Sequence, residues 1–211
     1  MRKTNVLLLT AAGFVATALQ CQAAFLANST GILSPVSTVT FSEVGLATDT
    51  PVTNHFAAFG VTFSPNLLYN PQPFAAPNQS QPQLGNYSQT SGTPANTVFL
   101  INFTSTQTDA AFSMITNPGA SGFEALLAGV VVDSGSAPTD FTSASNFFGF
   151  TGVTFDAIRV TPATDNNAAL IDNIQLGTDA PPSVATPLPA TALLAVFGGL
   201  AFGSRVRRRN A

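Results

Sequence analysis

The sequence predicts an all-β body, an antiparallel β-sandwich of jelly-roll type, set between two apolar terminal segments. Three observations carry this. Short runs rich in Val, Ile, Phe and Thr alternate through the middle of the chain with clusters of Gly, Pro, Asn, Asp and Ser. No stretch between the termini is convincingly helical, so helical crossovers between parallel strands are not expected. Both ends of the 211-residue chain carry uncharged apolar runs next to basic residues.

The first element is a signal peptide over 1–23. Arg2 and Lys3 form its positive region, and Val6 to Leu19 is apolar and uncharged. Cys21-Gln22-Ala23 then places small residues where signal peptidase reads, with cleavage expected between Ala23 and Ala24. The run is short and its exit polar for a transmembrane helix. Gln20 is a poor neighbour for a lipidated Cys21. Cleavage removes the one cysteine of the chain. The mature protein then has no disulfide, no thiol nucleophile and no cysteine zinc site.

The body, 24–184, is long enough to bury a core as one domain. Its charge is lopsided. All ten acids lie between Glu43 and Asp179, and Arg159 is the one Lys or Arg in the body, a formal net of −9. Such a surface repels nucleic acid, which is bound through clustered Lys and Arg. The candidate strands, in order, are Val36–Phe41, Ala57–Phe63, Thr97–Phe103, Ala110–Ile115, Phe123–Val132, Asn146–Phe150, Val153–Val160 and Ala168–Leu176. Thr-Asn-Pro-Gly at 116–119 and Asp-Ser-Gly-Ser at 133–136 read as turns. Leu126–Val132 is almost continuously apolar and reads as a strand buried on both faces. The phrase Gly-Val-Thr-Phe occurs at 60–63 and again at 152–155. Each glycine is expected to start an inward-facing strand, at equivalent places in two packed sheets.

The segment 64–96 is rich in Pro, Gln, Asn and Ser, and reads as a long surface loop. It carries Tyr69 and Tyr87, the candidate glycan contacts, because sugar platforms use aromatic faces and the chain has no Trp. The alternative is a linker loop without a role. The eighteen Phe residues are assigned to the core.

Little points to catalysis. His55 is the one histidine, so histidine metal sites are excluded and any Ser-His-Asp triad would depend on it. No serine has a nucleophile-elbow context. Glu43 and Glu124 are the two glutamates, and no tight carboxylate cluster of the sandwich-glucanase kind is present. A non-enzyme is expected. One constellation of hard oxygen ligands stands out. First and last strands of a jelly roll are neighbours, which would bring Glu43 towards Asp172 and Asn173. Those three could hold a structural Ca²⁺, or Asp172 and Asn173 could bond turn backbone.

The last element is the tail, 185–211. Pro187-Leu188-Pro189 leads into a run without charge to Ser204, closed by Arg205, Arg207, Arg208 and Arg209. Seventeen helical residues span about 25 Å, the lower limit for crossing a bilayer. The arginines would stay cytoplasmic and leave the body on the far side. This order of parts resembles the PEP-CTERM sorting signal, with Leu188 where that family usually has glutamate. The resemblance implies recognition by a membrane-embedded exosortase, transient residence in the inner membrane, and delivery to the envelope or outside the cell. "FFGFTGVTFDAIRVTPATDNNAALIDNIQLG", "VTFSEVG" and "HFAAFGVTF" are similar to the jelly-roll bodies often joined to such signals. The expected role is therefore structural or adhesive, in an exopolysaccharide or biofilm setting. A carbohydrate-binding jelly-roll module is the alternative.

Overall fold

The computed structural model describes residues 24–72, 74–92, 98–163 and 168–177. The signal peptide, the sorting motif Pro187-Leu188-Pro189, the apolar tail and the arginine cluster lie outside the described residues. Within them the chain is all-β. Ten strands form one continuous antiparallel sheet, with a single 3-10 turn at Ala57–Phe59 as the only helix described.

The strands are β1 (Ala24–Asn28), β2 (Ser37–Val39), β3 (Val61–Phe63), β4 (Leu68–Asn70), β5 (Gln83–Gly85), β6 (Phe99–Thr116), β7 (Gly119–Leu127), β8 (Val130–Thr139), β9 (Phe147–Thr161) and β10 (Ala169–Leu176). Their order along the sheet is β4-β5-β10-β6-β9-β7-β8, with β1 on β9, β2 on β10 and β3 on β6.

The long strands β6 and β9 set the architecture. They pair from Phe99 opposite Val160 to Ser113 opposite Phe147, with register shifts on either side of Gln107. Gly152 adopts a φ of 72° in this bend. The ribbon folds over there, as strands that switch layers do at bulges. One half carries β3, β7 and β8, and the other carries β10, β5, β4, β2 and β1. The arrangement is sandwich-like, and aromatic rings prove the closure. Phe123 of β7 stacks on Phe148 of β9 at 4.8 Å and on Phe25 of β1 at 5.3 Å, although Phe123 pairs in register with Val160. Phe103 and Phe155 meet edge-on at 5.6 Å inside the bend. Phe41, Phe56, Phe99, Phe112, Phe123, Phe148, Phe150 and Phe155 are fully buried. Their large apolar area makes them the main contributors to the core.

Several expectations are corrected. The expected strands Thr97–Phe103 and Ala110–Ile115 merge, from Phe99 on, into the one strand β6, and Asn146–Phe150 and Val153–Val160 merge, from Phe147 on, into β9. The polar stretch between the first pair follows the bend instead of ending a strand. Ala57–Phe63 is strand only from Val61. Leu126–Val132 is not a strand buried on both faces. Ala128 and Gly129, with φ of 50° and 80°, turn the chain between β7 and β8, and Val130 is 66 % exposed. Consecutive positive φ values match a hairpin turn of the kind that suits sheet twist, here without the Asn-Gly that signals it. Asp133-Ser-Gly-Ser136 lies within β8 and is not a turn. Thr116–Gly119 does connect β6 to β7. The segment 64–96 is not structureless: β4 and β5 lie in it and extend the sheet beyond β10. Of the two Gly-Val-Thr-Phe copies, Gly60 precedes β3 but Gly152 lies within β9. β1 was not anticipated.

The folded ribbon has two ends. At the bend, β1 begins and β10 finishes. At the opposite end lie the β6–β7 connection and the segments that follow β4, β5 and β8.

Candidate functional site

The most site-like feature lies at the end remote from the bend. It is a cleft of about 100 Å³ between Phe74, Tyr87 and Phe141, floored by Thr116, Asn117 and Leu170. Phe74 and Phe141 are each 43 % exposed. An enclosed small-molecule pocket is typically about 300–1,000 Å³. This cleft is too small to engulf a ligand of that kind.

Each aromatic is positioned by polar anchors. Tyr87 follows β5. Asn86 ties the segment to β10, its backbone N–H donating to Ala169 O at 3.2 Å and its Oδ1 accepting from Ala169 N at 2.8 Å. Beyond Tyr87, Asp49 holds the turn: its carboxylate accepts from Gln89 N at 2.7 Å, Thr90 Oγ1 at 2.6 Å and Ser88 Oγ at 2.9 Å. These donors, the Thr90 hydroxyl foremost, hold the Asp49 carboxyl below its usual range. Gln89 Nε2 donates to the Tyr87 hydroxyl at 3.1 Å, and burial pushes that phenol up. Phe141 sits in a turn closed by Asp140, which accepts from Thr142 N at 2.5 Å and Ser143 N at 2.7 Å. Its carboxyl is also depressed, chiefly by the Thr142 backbone bond. The Phe74 carbonyl accepts from the buried amide of Gln83 at 3.2 Å.

A polar knot fixes the loop between β4 and β5. Asn78, in the left-handed region at φ 54°, donates to Asn146 Oδ1 at 2.8 Å and Ala144 O at 3.0 Å. Its carbonyl accepts from the Ser113 hydroxyl and from Asn173 Nδ2. Next to it, the Ser80 N–H and hydroxyl donate to Asp172 Oδ2 at 2.6 and 2.7 Å. Asp172 Oδ1 accepts from Asn173 N at 2.7 Å. Burial pushes the Asp172 carboxyl up to about 6, against the pull of these donors and with a small push from Glu43.

The residues expected to hold calcium are therefore near one another but engaged otherwise. β2 does pair with β10. Glu43 lies close enough to act on Asp172 electrostatically, yet its Oε1 accepts from Thr40 N at 2.8 Å. Asn173 turns its amide nitrogen to Asn78, and a cation drawing on Asp172 would compete with Ser80 and Asn173 N. Among the described residues, no group of three or more His, Cys, Asp or Glu converges. His55 donates its Nδ1–H to Val52 O at 2.9 Å.

Tyr69 and Tyr87 part company. Tyr69 is 5 % exposed within the core, where it offers no face to a glycan. Tyr87 lines the cleft. Sequence reasoning missed Phe74 and Phe141 by assigning every Phe to the core. Their signal was context: each is a lone aromatic in a polar, Pro-bearing stretch, "PQPFAAPNQ" and "APTDFTSAS".

Comparison with known proteins gave no match among family models, curated proteins or solved structures.

Proposed function

We propose that this is an exported, exosortase-sorted protein of the cell envelope or extracellular matrix. Its jelly-roll-like body is non-catalytic and serves a structural or adhesive role among exopolysaccharides. One observation carries the reading of the body. Each of the eight described acids is spent on architecture. Glu43, Asp49, Asp109, Asp133, Asp140, Asp156 and Asp172 each accept from a backbone N–H, and Glu124 pairs with Arg159. Acidity here ties down loops and bends. The pairing of β2 with β10 supports the jelly-roll-like reading, in which an early and the last strand are neighbours.

The delivery reading rests on the order of terminal segments. Mass spectrometry of the mature protein from native cells tests it. A new C-terminus near Pro187–Pro189 is expected, and retention of 190–211 would refute sorting by cleavage.

The cleft favours carbohydrate binding as a second reading. Phe74, Tyr87 and Phe141 gather three partly exposed aromatic rings around one shallow cleft, which suits the apolar face of a sugar ring. Co-sedimentation with the host's exopolysaccharide should be lost in a Phe74→Ala/Phe141→Ala double variant. Equal retention of variant and wild type would exclude the cleft.

A further inference from the structure

The two chain connections to the apolar terminal segments leave the body side by side. Ala24, the first residue of β1, lies opposite Thr151 of β9. Thr151 lies opposite Asp109 of β6, and the Asp109 carbonyl accepts from Gly177 N at 2.8 Å, where the chain leaves β10. Ala24, Thr151, Asp109 and Gly177 thus form one row across four adjacent strands. Neighbouring strands are about 4.8 Å apart, so the exits are separated by roughly 14 Å. β1 begins at this end and β10 finishes there, so both connections point the same way, out of the bend.

This end also carries exposed apolar side chains, set among uncharged polar ones such as Ser34, Ser37 and Ser105. Two surface hollows meet at Gly177, one lined by Ile32, Leu33 and Thr151, the other by Val36, Phe59 and Leu176. Leu33 is fully exposed and Val36 is 67 % exposed. The β7–β8 turn reaches the same level, because Ala128 N donates to Asp156 in the bend at 2.8 Å, and it brings the exposed Val130. The carboxylates here, Asp109 and Asp156, are occupied by Gly152 N and Ala128 N.

We propose that this pole is a membrane-facing surface, and that the tethered chain rests Leu33, Val36, Phe59 and Val130 in the headgroup region of the bilayer. The proposal builds on the reading that the tail enters the membrane. The tether commits the occupant. Only Thr178–Pro187 separates Gly177 from the apolar run, a reach of at most about 36 Å. Before cleavage, Gln20–Ala23 alone separate the apolar part of the signal from Ala24. Tethers of this length hold a surface at roughly millimolar effective concentration, so a modest apolar contact suffices. The aromatic cleft then points away from the membrane, since Thr116 lies seven residues along β6 from Asp109, about 23 Å.

The test uses the full chain carrying Cys21→Ser, inserted by its tail into phosphatidylcholine nanodiscs with brominated acyl chains. Single cysteines labelled with bimane are placed at the pole (Leu33→Cys, Val36→Cys, Val130→Cys), at the opposite end (Asn117→Cys, Ser145→Cys) and in the tail (Ala201→Cys). All the body sites are at least partly exposed, and circular dichroism confirms that each variant folds. Bromine quenching at the pole is expected to exceed that at 117 and 145 at least twofold, with the tail label quenched most. Equal quenching at both ends, with the tail label quenched, overturns the membrane-facing pole and leaves the tail reading intact. An unquenched tail label overturns the tail reading and this proposal with it.

Discussion

Replacing Asp172 by asparagine should make the protein's stability less dependent on pH, and the size of the effect follows from the site. The carboxyl is buried and titrates at about 6 in the folded chain, against an ordinary value of 3.8. A raised folded value means that the native state binds the proton more tightly than the unfolded chain. The resulting stabilisation is complete below pH 3.8 and is lost as pH rises through 6. At 1.36 kcal/mol per pH unit, the gap amounts to about 3 kcal/mol. An asparagine does not titrate. Its amide keeps one acceptor for Ser80 but presents N–H to Asn173 N, a pH-independent loss of about 1–3 kcal/mol. The stability of Asp172→Asn minus that of the wild type should therefore climb by about 2.5 kcal/mol between pH 4 and pH 7.5, the rest of the gap lying below pH 4. Urea unfolding followed by circular dichroism at a series of pH values measures this. Asp49, Asp140 and the other distant acids act equally in both proteins and cancel. A difference that stays flat or falls over this range would refute the account of Asp172 as a destabilising buried charge.

Other outcomes follow from the packing and the loops. A Cβ on Gly149 would lie 2.0 Å from the Ala110 carbonyl oxygen and 2.6 Å from Ala111 Cα, both backbone. Gly149→Ala should therefore cost on the order of 3 kcal/mol in chemical unfolding, unlike a surface Gly→Ala. Asp49→Asn should loosen the 88–90 turn and cost about 1–2 kcal/mol, with hydrogen exchange accelerated at Gln89 and Thr90. In the wild type, the Asp49 and Asp140 contributions hold above pH 3.8 and fade as pH falls through their depressed values, so both turns open only in strong acid. Glu124→Gln breaks the cross-strand pair with Arg159, but both side chains are more than a third exposed, so unfolding should change by less than about 1 kcal/mol. Phe141→Ala should leave stability within about 0.5 kcal/mol while weakening any exopolysaccharide binding, because its ring packs mainly on the cleft surface.

The sequence made the fold class legible, and particular residues show where its reach ended. Phe123, Phe148 and Phe155 announce buried strands through β-forming neighbours. The bend at 103–108 does not announce itself, because Thr-Ser-Thr-Gln-Thr looks like a loop and is strand only through its long-range partners on β9. Likewise β4 and β5 contribute three residues each to a Gln- and Asn-rich stretch, too short for periodicity to register. Ala128 takes a left-handed conformation that its side chain does not advertise. The link between Asp172 and Asn173 was visible as a pair of polar residues in an apolar strand. Their partners Ser80 and Asn78 were not, being some ninety residues away in sequence. Tyr87 was singled out for its ring chemistry, and Tyr69 was misread for the same reason, since composition carries no burial.

The β1–β9 ladder bears on the order in which the chain becomes itself. Leu26 finds Gly149 only after more than a hundred intervening residues have been made, and Val39 waits still longer for Ile174. Contacts this distant along the chain fold slowly, because the loop they close must be ordered before they repay it. β1 and β2, the segments synthesised first, have no ladder partners until β9 and β10 arrive. The β7–β8 hairpin closes on itself locally, but the sandwich is complete only once β10 joins β2, β5 and β6.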